Sequence, residues 1–272
     1  VTTAADHLDK QRFARFFDRT AAHYEALGFV HVCARELLQR ARLKPGARVL
    51  DVGTGTGLVA LATGGLVGEG GSVVGVDFAP GMLEEARQKL QTTGLSNVTF
   101  VQGDAEHLPF EEASFDIVLC ASALFFVPDM TRAVREFHRV LAPGGMAGFS
   151  SFGAGFLEPL STRLRARLEA HGVPSARLPI ARLTDPEACR ALLEDAGFER
   201  VEVISPTLGY HHPSFESRWA EVMAGLEGTP LAQLPSDTVE RVRDEYRADL
   251  EGLFTAEGLW ASVPANFAFG WQ

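Results

Sequence analysis

The sequence predicts an α/β protein built on a doubly wound, mostly parallel sheet. Between about Arg48 and Phe152, short apolar runs of strand type alternate with amphipathic helical stretches, and that alternation implies parallel strands covered on both faces. A glycine turn, "VLDVGTGTG", follows the first of these strands, as expected where a ligand meets the carboxyl edge of such a sheet.

Ahead of the sheet, residues 7 to 27 carry Phe13, Phe16, Phe17, Thr20, Tyr24 and Leu27 on one helical face, and a second amphipathic helix is expected over 31 to 42. "KPGAR" breaks that pattern. There follow strand "RVLDVG", a helix from about Thr56, strand "SVVGVD", helix "PGMLEEARQKLQ" and strands "NVTFVQGD" and "FDIVLCA". Next comes helix "DMTRAVREFHRVL", with Asp129 as its cap, an apolar stripe of Ala133, Val134, Phe137, Val140 and Leu141, and "APGG" to end it before strand "GMAGFSSF". Beyond lie helices near 157 to 171 and at "PEACRALLEDAGF", strand "RVEVISP", helical stretches near 214 to 226 and 236 to 253, and a last apolar segment, "ANFAFGWQ". The stretch between the last two strands reads as an insertion, "HGVPSARLPIARLTDPEA" as linker-like, and "RDEYRADLE" as a solvated helix face.

A chain of 272 residues, 46% hydrophobic and 22% charged, suits a single α/β domain. Its 25 Lys+Arg against 35 Asp+Glu give a net charge of -10, which argues against nucleic acid as a partner. Cys33, Cys120 and Cys189 are too scattered for a disulfide framework or a metal site, so a reducing, cytoplasmic setting is expected. The longest apolar stretch, "IVLCASALFFVP", is too short to span a membrane, and no transmembrane segment is expected.

Two ligand classes compete for the glycine turn. Gly55, Gly57 and Ala60 fit a dinucleotide fingerprint, and Asp77, 20 residues after Gly57, is placed for a ribose. Asp51 argues against a nicotinamide enzyme, because a carboxylate just before the turn repels a pyrophosphate and attracts an ammonium. S-adenosylmethionine has a ribose, an ammonium, a sulfonium and an adenine, and no phosphate.

From about Arg48 to Phe152 the chain resembles the class I S-adenosylmethionine-dependent methyltransferases, through the ordered set "VLDVGTGTG", "VVGVDFAPGMLEEA", "VQGDAEHLPF", "FDIVLCASALFFVPD" and "EFHRVLAPGGMAGFS". The flanking "FFDRTAAHYEAL" and "LLEDAGFERVEV" are similar to the subgroup that contains quinone-biosynthesis C-methyltransferases. The resemblance implies a Rossmann-like seven-stranded sheet with an antiparallel last strand. It implies an N-terminal helical lid (1–43), a cofactor-binding core (44–152) and a remainder (153–272) whose helical insertion helps to cover the acceptor.

Carried over by position, Gly53, Thr54 and Gly55 pass under the methionine part, and Asp51 lies near its ammonium, directly or through water. Asp77 accepts the ribose hydroxyls, Asp104 takes the adenine amino group, and the Ala105 backbone takes a ring nitrogen. The Cys120 or Ala121 carbonyl faces the ammonium, and Tyr24 reaches the cofactor. Phe78 and Met82 either flank the adenine or pack in their helix. Two departures stand out: Ala79 replaces a serine that would cap the next helix, and Phe125 and Phe126 replace a histidine pair, leaving an apolar acceptor wall or simple packing.

The implied reaction is methyl transfer to an oxygen, carbon or nitrogen of a small lipophilic acceptor, leaving S-adenosylhomocysteine. A non-methylating, cyclase-like protein of the same fold is the alternative. His211 and His212 are the candidates for a base, weighed against solvated loop histidines, and adjacent residues of a strand would face opposite sides. His7, His23 and His31 are read as exposed on the N-terminal helices, His107 and His138 as structural, and no group has metal-ligand spacing.

Overall fold

A computed structural model describes residues 10–174 and 178–272; His7 and part of the linker-like segment lie outside them. In chain order the helices are α1 (Lys10–Thr20), α2 (Gly28–Ala41), α3 (Leu58–Val67), α4 (Pro80–Thr93), α5 (Met130–Val140), α6 (Leu160–Ala170), α7 (Pro186–Asp195), α8 (Phe215–Ala224) and α9 (Ser236–Glu251). The strands are β1 (Arg48–Val52), β2 (Ser72–Asp77), β3 (Val98–Gln102), β4 (Phe115–Ala121), β5 (Leu141–Phe152), β6 (Arg200–Ile204), β7 (Thr207–His212), β8 (Phe254–Thr255) and β9 (Gly258–Trp271).

The main sheet runs β3-β2-β1-β4-β5-β9-β6. Its first five strands are parallel, and β9 is antiparallel to both neighbours, so the expected seven-stranded Rossmann-like order is present. β1, β4 and β9 are buried on both faces for most of their length, which is why they read as continuous apolar runs.

The insertion is not wholly helical, as the sequence had suggested. β7 pairs with the first half of β9, Thr207 opposite Pro264 through His212 opposite Leu259, and β8 closes a short hairpin on the same strand. β9 therefore begins at Gly258, well before "ANFAFGWQ", and changes partners at Pro264. The carbonyl of Pro264 accepts from Gly153 N at 2.8 Å, and the next amide, Ala265 N, donates to Pro206 O at 3.0 Å. Proline lacks an amide hydrogen, so a change of pairing at this residue leaves no donor stranded.

The N-terminal helix also differs from its expected span. After Thr20 the chain tightens into a 3-10 turn over Ala21–Ala26, and Leu27 is extended before α2 begins. Remote carboxylates explain the break. Gly28 N donates to Glu221 Oε2 of α8 at 2.8 Å, and Glu25 is held by Thr56 Oγ1 and Lys89 Nζ. A Cβ on Gly28 would lie 2.3 Å from the Tyr210 ring, so glycine is required where α2 meets β7.

Of the local caps, Asp129 Oδ1 accepts from Arg132 N at 2.9 Å, as expected. α4 has no such cap of its own, because Ala79 offers no side-chain acceptor. Its Gly81 N donates instead to Asp18 Oδ1 of α1 at 2.7 Å, so a distant residue supplies the acceptor that the serine position lacks. Ala14 and Ala21 then pack with Ala79 and Met82 in a small second core, joined by Phe17, Tyr24 and Phe78.

Replacing Asp18 by alanine removes an N-terminal acceptor and should cost about 1 kcal/mol, read as a fall of about 2 °C in thermal midpoint. An unchanged midpoint would show that α4 does not depend on α1 for its cap.

Candidate cofactor site

β1, β2 and β4 end side by side, and the loop after β1 folds over their carboxyl edge. Gly53 N and Thr54 N both donate to Val76 O, at 2.8 and 3.0 Å. Gly55 N donates to Asp77 Oδ2 at 2.8 Å, while Asp77 Oδ1 accepts from Ala79 N at 2.9 Å. The turn needs left-handed backbone at Gly53 (φ 68) and Gly55 (φ 54). A Cβ on Gly53 would also come within 2.5 Å of the Ala123 Cβ.

Above this loop opens a cavity that continues into open solvent. Of the residues singled out in the sequence, Tyr24, Gly53, Gly55, Asp77, Phe78, Met82, Asp104, Ala105 and Ala121 line it. Asp51, Thr54 and Cys120 stand behind the wall. Asp51 is 1% exposed; its Oδ2 accepts from Thr54 Oγ1 at 2.6 Å, and its Oδ1 has no hydrogen-bond partner.

Burial pushes the Asp51 carboxyl up to about 7, with the nearby Asp77 adding to the rise and Thr54 opposing it. Burial likewise raises Asp77, against the amides of Ala79 and Gly55. The site thus concentrates carboxylates that lack a compensating cation, as a seat for a positively charged ligand requires.

Asp104 is different. Lys10 Nζ of α1 lies 2.9 and 2.7 Å from its two oxygens and 2.9 Å from Glu106 Oε1. Burial works to raise the Asp104 carboxyl, but Lys10 and the Glu106 amide hold it below the ordinary range. No local pattern marks Lys10 for this role, since the pairing spans 94 residues. Among the described residues lining the cavity, Lys10 is the one cationic side chain, and it is already paired.

A second cavity adjoins the first and shares Phe17, Tyr24, Ser122 and Phe126 with it. Phe16, Phe29, Phe125, Phe152 and Phe156 add five further phenyl rings to its wall. The Phe126 ring lies 5.0 Å from Phe17 and 5.4 Å from Phe13, closing the border between the cavities. Arg182 fixes this wall from behind, donating to the carbonyls of Phe125 (3.0 Å), Val127 (2.7 Å) and Pro128 (2.9 Å). The Phe125–Phe126 pair is therefore both packed and cavity-lining.

Neither His211 nor His212 is among the residues lining the two cavities. They lie on β7 rather than in a loop, and they face opposite ways. His211 packs on Trp260, ring centroids 4.8 Å apart, and lies 3.5 Å from Glu257. His212 is 3% exposed, contacts Ser217 Oγ at 3.3 Å and lies 3.4 Å from Glu221 Oε1. Of this group it is Glu221 that reaches the second cavity. Glu221 sits in the least patterned part of the chain, where helical periodicity assigns a buried face without revealing a carboxylate on it. Among the described residues no His, Cys, Asp and Glu cluster could hold a metal ion, and no helix is long and apolar enough to cross a membrane.

A mostly parallel sheet with a glycine loop after β1 and acids at the ends of β1 and β2 and just beyond β3 defines a Rossmann-like methyltransferase core. Residues 50–149 match a family model described as a methyltransferase domain. A ubiquinone/menaquinone biosynthesis C-methyltransferase of Vibrio parahaemolyticus is 33% identical over 228 residues, 76% of this chain and 88% of that protein. A demethylmenaquinone methyltransferase of Geobacillus kaustophilus is 39% identical over 143 residues, 50% of this chain and 61% of that protein. The fold is shared with the YcgJ protein of Bacillus subtilis, at 24% identity and a TM-score of 0.58, covering 89% of this chain and 98% of that one. The chain belongs to the class I S-adenosylmethionine-dependent methyltransferases.

Because Asp51 is raised in the folded protein, its contribution to stability is complete below about pH 4 and is lost as pH rises through about 7. Asp51→Asn should therefore gain stability relative to the parent between those pH values, by about 2–4 kcal/mol at pH 8. Denaturant titrations at pH 4 and pH 8 check this; a stability difference that does not change with pH would overturn it.

Proposed function

We propose that this protein transfers a methyl group from S-adenosylmethionine to an oxygen, carbon or nitrogen of a small lipophilic acceptor held in the phenylalanine-walled cavity. The observation that carries this reading is the pair of adjoining cavities, one edged by carboxylates and backbone amides, the other by phenyl rings, meeting at Phe17, Tyr24, Ser122 and Phe126. S-adenosylmethionine, when bound, supplies a methyl group already activated by its sulfonium.

The chain's own residues then have defined tasks. The Gly53–Gly55 loop lets the backbone come close to the methionine part, and the unpartnered Asp51 Oδ1 behind it favours an ammonium. Asp77 keeps a lone pair on each oxygen beyond those taken by Gly55 N and Ala79 N, enough to accept two ribose hydroxyls. Asp104 and the Ala105 backbone serve the adenine edge, with Phe78 and Met82 against its faces. A covering formed by α1, α2 and the segment from β7 to α9 excludes water. Fixing the nucleophile in line with the methyl group contributes several kcal/mol.

His211 and His212 have no direct path to the acceptor in this arrangement, so a proton leaves by solvent or by a group on the cavity wall. The activities for which the Vibrio and Geobacillus relatives are named support a ring carbon of a quinone precursor as one candidate nucleophile.

Asp77→Ala should weaken S-adenosylmethionine binding at least ten-fold, since each charged hydrogen bond lost is worth roughly 1.5–3 kcal/mol. Unchanged affinity by calorimetry would overturn the placement of the ribose. Incubation with S-adenosylmethionine and a panel of lipophilic hydroquinones, phenols and arylamines should release S-adenosylhomocysteine in equal amount to methylated product. Release of S-adenosylhomocysteine without any methylated compound would overturn the transfer.

A further inference from the structure

The second cavity carries charges that an apolar acceptor alone does not explain. Glu221 and Glu227 both line it, and they share one guanidinium. Arg218, itself 0% exposed, donates to Glu221 Oε1 at 3.1 Å and to Glu227 Oε2 at 2.6 Å, while its Nε donates to Tyr246 Oη at 3.1 Å. Burying such a group costs more than it returns in stability unless the charges balance. Here two carboxylates face one cation, and the cation is not among the residues that line the cavity.

Neutral groups supply the other hydrogen bonds of the two carboxylates. Glu221 Oε2 accepts from Gly28 N (2.8 Å) and Tyr210 Oη (2.6 Å), both neutral donors, and Ser161 Oγ donates to Glu227 Oε1 at 2.7 Å. His212 Nε2 lies 3.4 Å from Glu221 Oε1, buried and without a hydrogen-bond partner. Burial works to raise the Glu221 carboxyl, but His212, Arg218 and Tyr210 keep it below the usual range, so it stays ionised and is a poor proton acceptor. Glu227 retains an open lone pair on each oxygen.

We propose that the Glu221–Arg218–Glu227 triad is the specificity-determining pole of the acceptor cavity, and that it selects a lipophilic molecule carrying a cationic amine. An ammonium at Glu227 would neutralise the excess charge, use the open lone pairs, and lie among phenyl rings whose faces attract cations. A protonated amine has no lone pair with which to attack a methyl group. The amine is therefore a handle, and the atom that is methylated lies elsewhere on the acceptor. This inference rests on the reading that the cavity takes the acceptor.

The test compares 2-phenylethylamine with 2-phenylethanol, which are close in shape and differ in charge. Both are titrated by calorimetry at pH 7.5 into the full chain, with and without S-adenosylhomocysteine, and into Glu227→Gln. The parent protein should bind the amine about ten-fold more tightly than the alcohol. Glu227→Gln should bring the two within about two-fold, with alcohol affinity unchanged. Equal affinities in the parent, binding of neither probe, or a folded Glu227→Gln that keeps the preference would overturn the proposal. The parent ratio decides the matter even if the variant does not fold. Failure to bind S-adenosylhomocysteine would count against the methyl-transfer reading, while the ratio without it still judges the triad.

Discussion

The hydrogen bond from Gly55 N–H to the Asp77 carboxylate, at 2.8 Å, joins the loop after β1 to the end of β2. It holds two glycines in left-handed backbone above the sheet edge, and it orients the acid that closes the cavity wall. The same carboxylate takes the amide of Ala79, so one side chain fixes both the glycine loop and the approach to α4. Because both amides are backbone groups, the geometry persists through changes of side chain around it, provided that Gly53 and Gly55 keep their positive φ.

Remote carboxylates recur as the means by which the outer elements are placed. Asp18 reaches Gly81 at the start of α4, and Glu221 reaches Gly28 at the start of α2. In each case a glycine amide in the first turn meets a charged acceptor from another part of the chain, where the helix dipole reinforces the attraction. Each glycine also makes room, since a Cβ would meet Asp18 in one case and the Tyr210 ring in the other. The helices that border the two cavities are thus positioned by charge at their ends as well as by apolar packing along their sides.

The sheet and the glycine loop were legible in the sequence because periodicity and turn chemistry are local. The apolar runs of β1, β2, β4 and β5 and the Asp129 cap follow from residues a few positions apart. What sequence reasoning missed depends on distant partners. Lys10 finds Asp104, Asp18 supplies the cap that Ala79 lacks, and β7 becomes a strand because β9 offers it an edge. The missing cap at Ala79 was itself a visible sign that something else must satisfy the start of α4. By contrast, "GYHH" alternates too briefly to announce a strand, and α8 buries Arg218 and Glu221 through partners, among them Tyr246, Glu227 and Gly28, that lie elsewhere in the chain.

Asp18 also ties two borders of the first cavity together. Were α1 displaced, the Gly81 amide would lose its acceptor, and Phe78 and Met82 would lose the packing of Ala14, Ala21 and Phe17 with it. The start of α4 and the packing of α1 thus rest on the same contacts, which makes them one cooperative unit of local stability. A change that loosens α1 would therefore be read in the hydrogen exchange of amides at the start of α4.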